Sequence, residues 1–179
     1  MGKVGKAIKY IAFILAILLT IVLIYEACMP GSVSSDHSGA VSDAVVDATE
    51  KVENSIGNSN SEDTLSTQIR MNWSEFNRYI RKGIGHFGAF LVLALFATIA
   101  LYFNDTSKKG YIIISLIYGV CIATLTECLQ LGAVGRYGSI DDVMLDSFGY
   151  LCGEVLCLLV ALISYIVKKS KAKRKARVA

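Results

Sequence analysis

The chain alternates long apolar runs with polar breaks, and the lengths of those runs set its class. The first run covers roughly Ile8 to Cys28, the second about Ile84 to Phe103, the third Tyr111 to about Leu131, and the fourth roughly Val143 to Val167. Each is near the ~20 apolar residues a helix needs to cross a hydrocarbon core. The pattern predicts an all-α membrane protein with about four transmembrane helices and a polar extracytoplasmic segment between the first two. Four units follow: an N-terminal transmembrane helix (1–29), a polar spacer (30–72), a membrane core of an interfacial helix and three spans (73–167), and a basic tail (168–179).

The spacer is rich in Ser, Asp, Asn and Gly, and from Gly57 to Thr67 it reads as a flexible linker. Val41, Val45, Ala48 and Val52 recur at helical spacing, which predicts at most a short amphipathic helix in an otherwise loose segment. Asn72 and Glu75 are spaced for a capping box at the start of the next helix. Trp73, Phe76 and Tyr79 suit an aromatic anchor at the membrane surface.

Composition agrees with the pattern. Of 179 residues, 54% are hydrophobic and the mean hydropathy is +0.51, more apolar than a soluble core of this length needs. The net charge of +3 is less informative than its distribution. Lys3, Lys6 and Lys9 flank the first run, Lys108 and Lys109 separate the second from the third, and a tail from Lys168 to Arg177 follows the fourth. In a four-span chain these groups share one side, which the positive-inside rule makes cytoplasmic. Both termini are then expected inside, in the cell membrane, with Arg70, Arg78, Arg81 and Lys82 as a local exception outside. The first run is longer than a signal peptide's apolar region and is read as an uncleaved anchor. The tail lacks aromatic interleaving, so anionic lipid rather than nucleic acid is its expected neighbour. Four of the five cysteines lie in apolar runs, and no spacing suggests a disulfide framework, a metal site or a cofactor.

Against this apolar background, ionisable residues inside the spans are candidate functional groups. His86, Glu127, Asp146 and Glu154 qualify, joined by Gln130, Arg136, Asp141 and Asp142 at or beyond helix ends. With the expected topology, all but Glu154 collect at the outer leaflet boundary, with Arg136, Asp141 and Asp142 in the loop. Glu127 and Gln130 share a helix face. Asp142, Asp146, Gly149 and Gly153 form one stripe, its glycines allowing a neighbouring helix to approach. The spacing therefore predicts an outward-opening polar pocket between the last three spans. A purely structural alternative is an ion-pair network in which Arg136 bridges Glu127 and Asp142.

The runs Lys82-Gly83-Ile84-Gly85-His86-Phe87, Glu127-Cys128-Leu129-Gln130, Gly135-Arg136 through Ile140-Asp141-Asp142, and Asp146-Ser147-Phe148-Gly149 resemble, in order and spacing, the VanZ-like family. The resemblance covers about Arg81 to Val167. It departs at Asp146-Ser147, where the family usually shows Asn-Thr. It implies a bacterial multi-pass membrane protein with a link to teicoplanin resistance at the cell envelope. It points to Lys82, His86, Glu127, Gln130, Arg136, Asp142 and Gly149.

Three functions compete. In the first, the pocket binds a membrane lipid headgroup, a lipoglycopeptide, a lipid-linked cell-wall precursor or a partner, with Arg136 as a bidentate anion clamp. In the second, it is an enzyme on such a headgroup. His86 is then the acid or base, oriented by Glu127 or Asp142 or working beside a divalent metal held by one of them. The third, a transporter, lacks an internal repeat. The enzyme reading requires His86 within hydrogen-bond reach of a carboxylate, beside an open cavity.

Overall fold

The structure is a computed structural model that describes residues 3–57, 64–102 and 110–178. Among the described residues every regular element is helical: α1 (Lys3–Cys28), α2 (Gly31–Ser55), α3 (Leu65–Met71), α4 (Trp73–Ile80), a π-helical turn (Arg81–Gly88), α5 (Ala89–Tyr102), α6 (Gly110–Gln130) and α7 (Ile140–Val178). Four stretches are long and apolar enough to span a bilayer: Val4–Cys28, Trp73–Tyr102, Gly110–Gln130 and Ile140–Lys171. Even the shortest, α6 with 21 residues, reaches about 31 Å at 1.5 Å per residue. The chain is a multi-pass membrane protein. The expected turn around Asp105, Lys108 and Lys109 lies outside the described residues, as does the middle of the Gly57–Thr67 linker.

The bundle core is built from small residues and a few large ones. Ala16, Ala94, Ala97 and Ala123 let the helices approach, and Phe90, Leu93 and Tyr150 fill what remains. Outward-facing positions stay apolar, among them Ile11, Ile14, Leu18, Ile113, Ile117, Val160 and Ile163, as lipid-covered surfaces require. Polar side chains bind the spans at mid-depth. Tyr150 of α7 meets Ser115 of α6 at 2.9 Å, and Ser115 meets Thr98 of α5 at 3.2 Å. Thr20 of α1 bonds the Tyr118 hydroxyl of α6.

The glycine stripe works as its spacing suggested. A Cβ at Gly149 would overlap the Phe87 carbonyl, and one at Gly153 would overlap the Leu91 carbonyl. Both obstacles are backbone, so α7 lies against the π turn and α5 only because these positions lack side chains.

The polar segment differs from the sequence reading. Instead of a short helix in a loose spacer, α2 runs for 25 residues. Its buried positions are Ser42, Val46 and Glu53, which face α3 and α4, while Val41 and Val52 of the expected apolar face remain exposed. Polar bonds hold these helices together. Glu53 accepts from the Leu65 amide at 2.7 Å and also holds Ser66, Arg70 donates to Glu50 at 2.8 Å, and Ser42 reaches Asn77 at 3.2 Å. The capping box at Asn72 does not form. The Asn72 side chain turns back to the Gln68 carbonyl at 3.3 Å, because Asn72 also ends α3, and Glu75 faces Arg78 instead. A backbone bond from Gly31 to the Val134 carbonyl, 2.9 Å, ties the start of α2 to the α6–α7 loop. The helices α2 to α4 therefore cap one end of the bundle.

Candidate functional site

At the capped end, α1 finishes, the π turn begins, α6 finishes and α7 begins. The polar residues of the later spans meet there. Asp141 and Asp142 are in the first turn of α7 rather than in the loop, because the helix starts at Ile140. Two rungs one turn apart join α7 to the π turn. Lys82 Nζ lies 2.7 Å from Asp142 Oδ1, and His86 Nδ1 lies 3.1 Å from Asp146 Oδ1. The π geometry widens each turn to more residues, and such insertions cluster at functional sites. Here it carries both Lys82 and His86 toward the acidic stripe.

Glu127 is the third member. Its carboxyl is buried, 5% exposed, and its Oε1 stands 3.9 Å from His86 Nδ1. Gln130 Nε2 donates to Oε1 at 2.8 Å, and the Ser139 amide donates to Oε2 at 2.9 Å. Glu127 thus fixes the loop that returns the chain to α7. Asp146 is 1% exposed, and its Oδ2 has no hydrogen-bond partner among the described residues.

Arg136 does not bridge Glu127 and Asp142. Its Nη1 donates to the Glu26 carbonyl at the end of α1, 2.8 Å away, and Asp142 is taken by Lys82. Burial first, then the nearby Arg81, makes Arg136 easier to deprotonate than an ordinary arginine. Guanidinium nevertheless stays charged. Two cations, Arg81 and Arg136, therefore border the same space. Asp141 is exposed and stands apart from the cluster. Glu154 lies deeper, 1% exposed, with neither carboxyl oxygen partnered among the described residues.

Two cavities open at this end. One, about 270 Å³, has apolar walls from Leu19, Val22, Leu23, Ile84 and Phe90. The other, about 350 Å³, is bordered by Lys82, Tyr137, Ser139 and Asp142. Arg81, His86, Gln130 and Arg136 line both. Arg81, treated in the sequence only as an exception to the charge rule, is thus a site residue. His37 of α2 pairs with Glu26 at 2.9 Å and lines the apolar cavity. His86 meets the geometric requirement of the enzyme reading, with Asp146 rather than Asp142 as its closest carboxylate. His86, Glu127 and Asp146 also form a group whose ligand atoms lie within 4.8 Å of one another.

The profile of the VanZ/LLP1 family matches residues 12–163. The match takes in α1 and α2 as well as the motifs of the later spans. No curated protein and no solved structure matches the chain.

Proposed function

The chain belongs to the VanZ/LLP1 family, and from that premise we propose that it binds the anionic headgroup of an acyl-chain amphiphile at the capped end of its membrane bundle. The observation that carries this reading is the pair of cavities joined by Arg81, His86, Gln130 and Arg136. An acyl chain suits the walls of Leu19, Val22, Leu23 and Phe90. A phosphate or carboxylate beside Arg81 and Arg136 relieves the repulsion between the two guanidinium groups and gains charge-assisted hydrogen bonds. Sites of this kind are apolar with a few convergent polar groups.

The topology proposed for this site is extracytoplasmic. Lys3, Lys6, Lys9 and the basic tail lie at the bundle end opposite Arg136, and the positive-inside rule assigns that end to the cytoplasm. An outward site is also where a lipoglycopeptide such as teicoplanin, with its acyl arm, or a lipid-linked cell-wall precursor is met. A contribution to teicoplanin resistance is the corresponding cellular expectation.

The test is native mass spectrometry of protein released from membranes in mild detergent. Retained anionic lipid, lost in Arg81→Gln, supports the proposal. Equal retention in both, or retention of zwitterionic lipid only, overturns it. Susceptibility to teicoplanin in cells carrying the same variant tests the cellular expectation.

A second reading, turnover of the bound headgroup, is favoured by the 3.1 Å contact of His86 with buried Asp146. In it, His86 transfers a proton while Asp146 orients the ring. His86→Gln should then keep the lipid and abolish any conversion of it. A rate of headgroup release unchanged by His86→Gln removes this reading.

A further inference from the structure

We infer that His86, Glu127 and Asp146 form a binding site for one divalent transition-metal ion. The inference does not depend on the identity of the headgroup. One imidazole and two carboxylates are a donor set suited to Zn²⁺ or a neighbouring first-row ion. A metal held tetrahedrally at about 2.0–2.2 Å from each donor places those donors about 3.3–3.6 Å apart. His86 Nδ1 is 3.1 Å from Asp146 Oδ1 and 3.9 Å from Glu127 Oε1, and the three ligand atoms all fall within 4.8 Å. Binding therefore requires Glu127, the furthest donor from His86, to draw in toward the other two.

Two independent features point to an ion rather than to an internal network. The first is the orphaned Oδ2 of Asp146, in a side chain that is 99% buried and belongs to the cluster. Buried polar atoms in folded proteins are rarely left unpaired, and a bound ion is one accepted reason for an exception. The second is convergence. The three donors come from three separate elements, the π turn, α6 and α7, and their ligand atoms meet within 4.8 Å of one another.

The supporting shell is already in place. Gln130 and the Ser139 amide each donate to a different oxygen of Glu127, and each oxygen retains a lone pair for a metal. Donors of this kind orient ligands and tune affinity. The ion would displace the proton between His86 and Asp146 and be held by both Asp146 oxygens, which gives Oδ2 its partner. A His86 that ligates metal is not free to act as a base, so the site and the acid–base reading make opposite claims about this residue.

The test uses full-length protein without a histidine tag, purified in detergent, stripped with a chelator and titrated with Co²⁺. Equilibrium dialysis gives the stoichiometry, and visible absorption reports coordination by nitrogen and oxygen. The expected result is one Co²⁺ per chain, displaced by Zn²⁺. Affinity should fall by more than about tenfold in both Asp146→Asn and Glu127→Gln, since losses in the supporting shell alone reach that size. Glu154→Gln, which alters a buried acid away from the cluster, should bind as the parent does. Thermal unfolding establishes that each variant is folded. Absence of Co²⁺ binding by the parent chain overturns the inference, as does unchanged affinity in a folded Asp146→Asn or Glu127→Gln.

Discussion

Two substitutions at Glu127 should separate its structural from its chemical role. The carboxyl accepts from Gln130 Nε2 at 2.8 Å and from the Ser139 amide at 2.9 Å. Glu127→Ala removes both acceptors. Each buried donor left unpaired costs about 1–3 kcal/mol. Gln130 is buried and should approach the upper value, whereas the part-buried Ser139 amide can recruit water and falls lower. Together they give a loss of roughly 2–5 kcal/mol. Glu127→Gln behaves differently. Its remaining oxygen can keep the Ser139 amide, while its new NH₂ faces Gln130. Rotating the Gln130 amide by half a turn presents a carbonyl to that NH₂, so the loss stays below about 1 kcal/mol. Reversible unfolding in detergent measures the difference, and hydrogen exchange at Ser139 reports the loop directly. The reasoning fails if the two variants are equally destabilised, because the negative charge itself would then hold the site. It also fails if Glu127→Ala is neutral.

Other consequences concern packing and pH. Glu154→Leu should raise stability by about 1–3 kcal/mol, since it removes a buried carboxyl with no well-formed hydrogen bond among the described residues, and a loss of stability in detergent unfolding would show that its approach to Ser115 satisfies it. Gly149→Val should cost about 3 kcal/mol or prevent assembly, because the new Cβ meets the Phe87 backbone. Gly83→Ala, which meets open space, should leave the melting temperature within a few degrees of the parent. The Ser66 hydroxyl, the main partner of Glu53, holds that carboxyl below its usual value of 4.5. A lowered folded-state value stabilises the α2–α3 junction above pH 4.5 and withdraws that support as pH falls below it. Hydrogen exchange at the Leu65 and Ser66 amides, which Glu53 holds, should accelerate at low pH in the parent but less so in Glu53→Gln.

Much of the bundle was legible because the bilayer imposes a length and a solvent. Four runs of apolar residues became α1, α5, α6 and α7, although α7 continues past Val167 through the basic tail to Val178, and the Asp142–Asp146–Gly149–Gly153 stripe packs as one face. The meeting of His86, Glu127, Gln130 and Asp146 was also readable, since each interrupts an apolar run near a helix end. What escaped has physical causes. The π turn from Arg81 to Gly88 leaves only three glycines as a trace, and eight residues cannot distinguish its period from that of an α-helix. Arg136 selects a backbone carbonyl, Glu26, which has no signature in the side-chain pattern. The length of α2 rests on polar bonds from Glu50 and Glu53, so its apolar positions gave a misleading face. His37 and Arg81 became site residues only when α2 and the π turn were placed beside α1.

The central claim is that an anionic amphiphile lies with its headgroup at Arg81 and Arg136 and its chain against α1. Crosslinking with a phosphatidylglycerol analogue that carries a photoreactive group in its acyl chain tests this most directly, when mapped by peptide mass spectrometry in lipid vesicles. The account predicts adducts concentrated on Leu19, Val22, Leu23, Ile84 and Phe90, reduced by Arg81→Gln and absent with a phosphatidylcholine analogue. Adducts spread over the outer face at Ile11, Ile14 and Leu18, indifferent to headgroup and to Arg81→Gln, would contradict it.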